Sequence, residues 1–298
     1  MTPRLKIDDS LRRQLKDALR EDIGSGDITT QLTIVHPKPG GAAMLAREDG
    51  VFCGFPVARE LTRIFDPKLR LKALVPDGTA VREGDWVMTL RGDVRSLLTV
   101  ERVLLNFVQR LSGVATLTRR YVELTGGPDS PVKIFDTRKT NPGWRTLERY
   151  AVRVGGGVNH RYGLFDAVLI KNNHADFAGG LEHALAAVHA GLKRRKKKIP
   201  VIVETRNLNE VRIAVEGGCD VVMLDNMSLP KVRKALALVP SGIDVELSGG
   251  IEPRRIRQLA TLGVPRISVG AITHSAPAMD FSLRQKSLKE LKAIERCI

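Results

Sequence analysis

Six short apolar runs in the second half of the chain each end in charged, amide or hydroxyl residues or in glycine. The polar ends are Asp136–Lys139, Lys171–His174, Glu204–Arg206, Asp225–Asn226, Ser248–Gly250 and Gly270–Ala271. In a parallel α/β barrel, the carboxyl ends of the strands converge on one face, and that face carries the active site. Core packing alone does not explain six successive runs that end in this way. The pattern therefore predicts a functional site.

The side chains expected to converge there are mostly cationic. They are Arg138, Lys139, His160, Arg161 and Lys171, with the carboxylates Glu204 and Asp225 opposite. Such a pocket would repel itself unless its ligand were polyanionic, because Arg pairs with carboxylate or phosphate and Lys acts as a point charge. Two carboxylates on consecutive strands suit Mg²⁺ bound to substrate phosphate, and the glycines of Ser248–Gly250 and Gly270 would let backbone N–H groups approach a phosphate. We therefore expect a phosphorylated, metal-bound anion and a second acidic molecule as ligands.

Several of these residues have structural alternatives. Asp136 could cap or pair locally, Glu204 could belong to an ordinary ion pair, and His160 could be a loop histidine without a role. The run Gly155–Gly157 favours a conformational turn, since neither a Walker nor a GxGxxG spacing is present. A cysteine or serine nucleophile is not supported, because no cysteine falls at a strand end and no elbow motif occurs.

Alternating strands and helices are predicted to position the site. The strand candidates are Lys133–Thr137, Ala167–Lys171, Val201–Thr205, Val221–Asp225, Asp244–Leu247 and Arg266–Val269, with helix candidates at 144–154, 180–193, 207–217, 229–239 and 253–262. This alternation predicts parallel strands covered on both faces, in an open sheet or a barrel. Residues 1–110 instead predict an α+β domain with an antiparallel sheet. A long amphipathic helix is expected over 96–124, with an interruption near Ser112 and Gly113.

Composition leaves the class of partner open. The chain has 298 residues, 43% apolar and 27% charged, with a net charge of +15. No apolar run approaches the roughly 20 residues of a membrane span, and the charged N-terminus lacks the apolar centre of a signal peptide. The spacing of Cys53, Cys219 and Cys297 favours reduced thiols in the cytoplasm. The basic run 193–198 precedes a strand, so we expect it at the opposite end of the barrel, where it is peripheral to catalysis.

The motifs resemble those of a known family. Residues 136–143 (DTRKTNPG), followed by 150–161 (YAVRVGGGVNHR), are similar to the hallmark of quinolinate phosphoribosyltransferases, also called nicotinate-nucleotide pyrophosphorylases (carboxylating). Agreement extends to 21–27 (EDIGSGD), 101–107 (ERVLLNF), 168–171 (VLIK), 223–226 (MLDN) and 247–251 (LSGGI). The resemblance covers nearly the whole chain, in order and in spacing.

The resemblance implies a fold and a reaction. The expected fold is an incomplete parallel α/β barrel of the type II phosphoribosyltransferase kind, with an N-terminal α+β open sandwich domain. Domain bounds of 1–113 joined by the tail 276–298, and 114–275 for the barrel, follow from it. The implied reaction transfers phosphoribosyl from 5-phosphoribosyl 1-pyrophosphate (PRPP) to quinolinate with decarboxylation, in de novo NAD biosynthesis. A homodimer with shared active sites is implied, and a hexamer stays open.

The resemblance also implies roles for individual residues. Quinolinate would be bound by Thr137, Arg138, Lys139, His160, Arg161 and Lys171, together with Arg102 of the partner subunit. PRPP would be bound by Lys139, Lys171, Glu204, Asp225, Ser248, Gly249, Gly250, Val269, Gly270 and Ala271. Glu204 and Asp225 would also hold Mg²⁺, in part indirectly.

Two residues depart from the family pattern. Ile202 stands where relatives often carry Glu, and strand alternation places it on the same face as Glu204. The pairing of Glu204 with Lys171 or Lys139 is therefore left open. Asn172 replaces a common Asp, which is a milder change.

Two other classes of protein compete with this one. A molybdenum-transport-associated homologue of the same fold would usually depart from the Thr-Arg-Lys-Thr and Asn-His-Arg motifs, which are intact here. A basic nucleic-acid-binding protein would need a basic face or an aromatic stacking platform. The aromatic content is only 4%, so no nucleic-acid partner and no membrane partner are expected.

Overall fold

The computed structural model describes residues 3–296, which form two compact units. One comprises the described residues up to Arg119 together with 141–156 and those from Ser275 onward, and the other comprises 120–140 and 157–274. The predicted domain bounds at residues 113 and 276 stay a prediction, because a compact unit need not be an independently folding domain. The outermost residues of the predicted first domain and tail (1–2 and 297–298, including Cys297) lie outside the described residues.

The first unit is built around an antiparallel sheet. Its elements are α1 (Asp9–Ile23), α2 (Ile28–Thr33), β1 (Pro39–Ala46), β2 (Gly50–Val51), α3 (Phe55–Phe65), β3 (Arg70–Ala73), β4 (Ala80–Val81), β5 (Trp86–Asp93) and α4 (Val94–Leu124), whose last residues, 120–124, belong to the second unit. Near the end of the chain, β12 (Phe281–Gln285) and α12 (Leu288–Ile294) follow. The four-stranded order is β12-β1-β5-β3, so the late strand pairs with the first one, and β2 pairs separately with β4.

Local sequence explains where α1 begins and which face it buries. The side chain of Asp8 accepts a hydrogen bond from the backbone N–H of Leu11, which satisfies a donor that the first turn leaves unpaired. Leu11, Leu15 and Leu19 recur at four-residue spacing and are buried, so they form one apolar stripe of the helix.

The predicted interruption of the long helix at Ser112 and Gly113 is wrong, since α4 runs unbroken through both residues. Gly113 instead permits a close approach, because a Cβ built on it would lie 1.9 Å from the carbonyl oxygen of Pro277. Glycine in this helix therefore serves packing against the returning tail, despite its low helix propensity.

The second unit contains a six-stranded parallel sheet. Its strands are β6 (Lys133–Phe135), β7 (Val168–Ile170), β8 (Val201–Thr205), β9 (Val221–Asp225), β10 (Asp244–Ser248) and β11 (Arg266–Ser268). The helices between and after them are α6 (Asn172–Phe177), α7 (Leu181–Arg194), α8 (Leu208–Glu216), α9 (Leu229–Leu236), α10 (Pro253–Ala260) and α11 (Ala271–His274). α5 (Arg145–Val154) lies in the first unit, although it follows β6 in sequence.

The strand order β6-β11-β10-β9-β8-β7 identifies the architecture. From β7 to β11 each strand adds on the same side of the preceding one, so the right-handed crossovers all lie on one face. Strands β6 and β7 are consecutive in the chain but stand at opposite edges, and no ladder joins them among the described residues. The expected incomplete parallel barrel is therefore confirmed, as is its accompanying smaller antiparallel sheet.

Candidate active site

A cavity of about 500 Å³ lies at the carboxyl ends of the parallel strands. Its lining residues are Thr137, Arg138, Lys139, His160, Arg161, Leu169, Lys171, Glu204, Met223, Asp225, Asn226, Ser248, Gly249, Gly250 and Ser268. The lining includes four Arg or Lys side chains and two carboxylates. The barrel therefore brings together the polar residues at the ends of the apolar runs, as the sequence predicted.

Asp136 organises the loop that follows β6. Its side chain is fully buried, and one carboxylate oxygen accepts the backbone N–H of His160 at 2.7 Å while the other accepts the amide of Asn159 at 2.7 Å. Of the two interpretations of Asp136 that the sequence left open, the structure shows the local one. Asp136 thereby fixes the segment that carries His160 and Arg161.

Two arginines of the cavity repel one another. Burial, together with the nearby charge of Arg138, lowers the pKa of Arg161 below its ordinary value, and Asp166 opposes this only in part. One guanidinium nitrogen of Arg161 donates to the carbonyl oxygen of Ala167 at 3.0 Å, which holds the side chain in place. An anion between the two arginines would relieve their repulsion.

Lys139 is held through its backbone. Its N–H donates to the hydroxyl of Thr137 at 3.1 Å, and its carbonyl accepts from the hydroxyl of Thr273 at 2.8 Å. Gly270 lies against its side chain, since a Cβ there would come within 3.0 Å of Cδ of Lys139. The end of β11 therefore shapes the path that Lys139 takes.

Lys171 and Glu204 form an ion pair with an Nζ–Oε2 distance of 2.8 Å. The pairing that the Ile202 departure left open is therefore present. Ile202 itself is buried in an apolar cluster with Leu169, Val221 and Met223, of which Leu169 and Met223 also line the cavity. With Ile at position 202, this part of the barrel interior is apolar, and the ion pair of Lys171 and Glu204 is present beside it.

The carboxylates fit a metal only in part. Among residues 3–296, no group of three or more His, Cys, Asp or Glu side chains could hold a metal ion by itself. Glu204 and Asp225 lie on adjacent strands and line the same cavity. Two carboxylates suit Mg²⁺ that also takes phosphate oxygens, so this donor set fits an ion that arrives with a phosphorylated ligand.

The segment 248–250 has a backbone that requires glycine. Gly249 and Gly250 have φ values of 92° and 54°, and a Cβ on Gly249 would lie 2.4 Å from the side chain of Asn226. Asn226 has a φ of 53°, and its N–H donates to the carbonyl of Ser248 at 3.0 Å. These two turns pack on each other at the ends of β9 and β10, and a glycine-rich backbone of this kind suits the close approach of a phosphate.

A buried polar cluster lies beside the cavity. Glu246 is fully buried, and one of its carboxylate oxygens accepts Nε of Arg266 at 2.9 Å. The other oxygen accepts a very short hydrogen bond from the hydroxyl of Ser268 and lies 3.3 Å from Nε2 of His160. Burial would raise the pKa of Glu246, but these contacts hold it below its ordinary value.

Comparison with known proteins places the chain in a family. Residues 27–112 match the N-terminal domain, and residues 114–284 the C-terminal domain, of quinolinate phosphoribosyl transferase. A mitochondrial quinolinate phosphoribosyltransferase (decarboxylating) 2b of Nicotiana tabacum is 38% identical over 290 residues, which covers 92% of this chain and 82% of that protein. The chain belongs to the quinolinate phosphoribosyltransferase family.

Two further relatives agree with this assignment. A probable nicotinate-nucleotide pyrophosphorylase (carboxylating) of Synechocystis sp. is 40% identical over 274 residues, covering 91% of this chain and 90% of that protein. The solved structure of the nicotinate-nucleotide pyrophosphorylase from Francisella tularensis is 40% identical, with a TM-score of 0.88 over 95% of this chain and 98% of that one. The family suggested by the motifs is therefore confirmed, and the likeness extends over both domains.

The structure brings most of the predicted site residues of this quinolinate phosphoribosyltransferase family member together. The cavity is lined by Thr137, Arg138, Lys139, His160, Arg161, Lys171, Glu204, Asp225, Ser248, Gly249 and Gly250. Among the described residues, Arg102, Val269, Gly270 and Ala271 do not line it. Arg102 is exposed on α4, and Val269 is buried. The binding roles of all these residues stay predictions.

Five residues of the site are absent from the predicted binding set, although Asn226 stands at one of the polar run ends. Leu169, Met223, Asn226 and Ser268 line the cavity, and Glu246 lies beside it. Strand alternation could have found four of them, since Leu169, Met223 and Glu246 each stand two residues before a predicted site residue, and Ser268 stands two before Gly270. A glutamate within the strand VELS, between apolar neighbours, is the clearest of these signals.

Proposed function

We propose that the chain transfers the phosphoribosyl group of PRPP to quinolinate with decarboxylation, which yields nicotinate mononucleotide, pyrophosphate and CO₂ in de novo NAD biosynthesis. The observation that carries the proposal is an excess of two positive charges in one 500 Å³ cavity at the strand ends, where Arg138, Arg161 and Lys171 are held on separate segments beside the glycine turn of Gly249 and Gly250. Two substrates that are both anionic would relieve that excess, whereas a neutral substrate would not.

The cations bind and orient the acceptor. Arg138, Lys139 and Arg161 hold the two carboxylates of quinolinate, so that the pyridine nitrogen faces the anomeric carbon of PRPP. Orientation matters most, because the nitrogen attacks while the bond to pyrophosphate breaks. The attacking nitrogen carries no proton, so the transfer step needs no general base. Once alkylated, the positively charged nitrogen accepts the electron pair that the departing CO₂ leaves on the ring.

PRPP is held at the ends of the later strands. Glu204 and Asp225 bind the ribose hydroxyls, and the segment Ser248–Gly250 binds the 5′-phosphate through its N–H groups, with help from 269–271. Lys171, paired with Glu204 at 2.8 Å, adds positive charge near the leaving group. Mg²⁺ held with Glu204 and Asp225 would supply further positive charge to the pyrophosphate. This set of roles rests on the two-carboxylate, glycine-rich lining described above.

A product assay tests the proposal. The purified protein is incubated with PRPP and Mg²⁺ and either quinolinate or nicotinate, and nicotinate mononucleotide and CO₂ are measured. We expect both products from quinolinate, in equal amounts, and none from nicotinate. Turnover of nicotinate alone would overturn the acceptor, and CO₂ release without nucleotide would overturn the transfer reaction.

We propose in addition that the active protein is a homodimer, with a hexamer built from dimers also open, in which the partner subunit's Arg102 completes each site. Arg102 is exposed on α4, and exposed apolar side chains suited to an interface occur at Leu164 and Phe165, 73% and 71% exposed.

Sedimentation velocity would measure the assembly. Coexpressed Arg102→Ala and Arg138→Ala chains should recover about a quarter of wild-type activity, since a mixed dimer keeps one intact site. No recovery would contradict shared sites.

We also propose a cytoplasmic location. Cys53 and Cys219 are buried free thiols, as expected for a reducing compartment. Among the described helices, none is long and apolar enough to span a membrane. Subcellular fractionation tests the location, and recovery of the protein outside the cytoplasmic fraction would contradict it.

A further inference from the structure

In the buried cluster beside the cavity, the two carboxylate oxygens of Glu246 have different partners. Arg266 and Ser268 on β11 donate to opposite oxygens of Glu246, and the oxygen that accepts from Ser268 also faces Nε2 of His160. The guanidinium of Arg266 lies 4.5 Å from the centre of the Phe135 ring, and the edge of the same ring meets His160 at 78°. Glu246 is thus fixed on one side by the barrel and presents an acceptor to the imidazole on the other side.

The hydrogen bonds of His160 decide its tautomer. Nδ1 accepts the backbone N–H of Arg161 at 2.7 Å, so that nitrogen carries no proton. The proton therefore lies on Nε2, which is buried 3.3 Å from a carboxylate oxygen of Glu246, a charge contact without the alignment of a full hydrogen bond. Only 6% of the His160 side chain is exposed. Both ring nitrogens thus contact protein groups, although the residue also lines the cavity.

We propose that Glu246 is a positioning residue for substrate recognition. It fixes His160 in the Nε2–H tautomer, and Nδ1 of His160 then accepts the backbone N–H of Arg161. This contact positions Arg161 so that its guanidinium points toward a carboxylate of the acceptor. His160 acts on the substrate through Arg161 and not as a cation. The consequence for quinolinate rests on the proposed function, whereas the tautomer does not.

Replacement of Glu246 by Gln gives a sharp test because Arg266 can only donate. In Glu246→Gln, the amide oxygen of the new side chain must turn toward Arg266, which leaves its NH₂ facing Nε2 of His160. The hydroxyl of Ser268, which contacts the same position, can accept one N–H of this NH₂ group, and the other N–H favours Nε2 as an acceptor. The ring proton then moves to Nδ1, and the contact with the N–H of Arg161 is lost. Glu246→Gln should therefore switch the tautomer while preserving the volume of the side chain.

The tautomer is read by NMR without any substrate. Protein labelled with ¹⁵N-histidine has six imidazoles, and loss of one signal set in His160→Asn identifies the one of interest. We expect the Nε2–H pattern in the wild type and the Nδ1–H pattern in Glu246→Gln. Protonation of both nitrogens in the wild type, or the same tautomer in both proteins, would overturn the proposal.

Kinetics distinguish positioning from general support of the barrel. Glu246→Gln should raise the KM for quinolinate roughly tenfold and leave the KM for PRPP nearly unchanged, since only the acceptor contact loses its alignment. Asp244→Asn is the matched control, because Asp244 faces Arg266 from 3.8 Å but does not contact His160. The control should retain both KM values. Equal rises in both KM values for Glu246→Gln would mean a merely structural role.

A second pair of variants keeps the proposal testable if Glu246→Gln does not fold. Asn at position 160 places an acceptor oxygen near the site of Nδ1, whereas Gln places its amide near the site of Nε2. His160→Gln should therefore raise the KM for quinolinate more than His160→Asn does. Equal losses would indicate that the imidazole contacts the substrate itself. Failure of the wild type to use quinolinate would overturn the proposed function, while the NMR result would still decide the tautomer.

Discussion

The parallel sheet carries a basic cavity at each end of its strands, and the two are matched in formal charge. The carboxyl-end cavity of about 500 Å³ and the amino-end cavity of about 760 Å³ are each lined by four Arg or Lys side chains, two carboxylates and one histidine. At the amino end, three of the four cations are exposed lysines of one run, Lys193, Lys197 and Lys198. At the carboxyl end, Arg138 and Arg161 are half-buried on separate segments.

This difference shows that an excess of positive charge is not enough to identify an anion-binding site. Cations on one exposed run can move apart and stay hydrated, so they repel one another only weakly. The guanidinium of Arg161 is held by the carbonyl oxygen of Ala167 and cannot move freely away from Arg138; burial, and after it the charge of Arg138, lowers the pKa of Arg161. Fixed repulsion favours an anionic ligand, and only the carboxyl end shows it among the described residues. Four predictions test this contrast.

The largest effect is expected from Arg138→Ala. Loss of the guanidinium removes a bidentate contact to an acceptor carboxylate, so kcat/KM for quinolinate should fall by about 100-fold or more. Steady-state kinetics measure the loss, and thermal unfolding shows whether the fold is retained. Arg138→Lys, which keeps the charge but loses the planar fork, should recover part of the activity. Near-normal turnover by Arg138→Ala would show that the carboxyl-end cavity is not the active site.

The second prediction concerns acid stability and Glu246. Its folded pKa is lowered, so the stability it contributes is fully present above the pKa of an unfolded Glu, about 4.3. That contribution is lost as the pH falls through the folded pKa. The wild type should exceed Glu246→Gln in free energy of unfolding by about 3 kcal/mol at pH 7, because the variant leaves Arg266 without its carboxylate.

Urea titrations of both proteins between neutral and acidic pH measure this difference. We expect it to be constant above about pH 5 and to shrink below that. A difference that does not change with pH would show that Glu246 contributes packing and not charge. In that case, the carboxyl end would be less dependent on fixed charges than the contrast between the two cavities implies.

The sequence was sufficient to predict the strands and the cavity lining, because both rest on short-range patterns. Runs such as Val201–Thr205 and Val221–Asp225 match β8 and β9 in full, and their polar ends follow from the direction that all parallel strands share. Residues near the ends of these strands, such as Lys139 and Glu204, can therefore be placed at one face from the sequence alone. Motif agreement then supplies the family.

Features that depend on packing at a distance could not be predicted. The sequence around Gly113 predicts a break in a helix, whereas the glycine in fact leaves room for the carbonyl of Pro277. The local sequence does not distinguish a glycine that ends a helix from one that permits close packing. The tautomer of His160 depends on Glu246, which lies 86 positions later in the chain, and no local pattern links the two. Asn226, with its φ of 53°, likewise follows from the turn that packs on Gly249.

The third prediction addresses the apolar cluster around Ile202 inside the barrel. Ile202 is buried with Leu169, Val221 and Met223, so Ile202→Val should cost about 1 kcal/mol of stability through the lost methylene. The ion pair of Lys171 and Glu204 does not depend on this packing, so both KM values should stay unchanged. A raised KM for PRPP would show that this cluster and the cavity are coupled.

The smallest effect on kcat/KM is expected at the amino-end cavity. Because both cavities contain lysines, Lys→Gln substitutions can be compared between them. Lys197→Gln with Lys198→Gln removes two charges from the larger cavity, and we expect kcat/KM to change by less than about twofold, because exposed charges on a run are well screened. Lys139→Gln removes one charge from the smaller cavity and should cost at least about tenfold, since its ammonium stands among fixed groups that bind the substrates. The two variants are assayed side by side at low and at physiological ionic strength. A loss in the double variant that disappears with salt would assign the amino end a role in steering anionic substrates, whereas a loss that persists would contradict the claim that only the carboxyl end is a site.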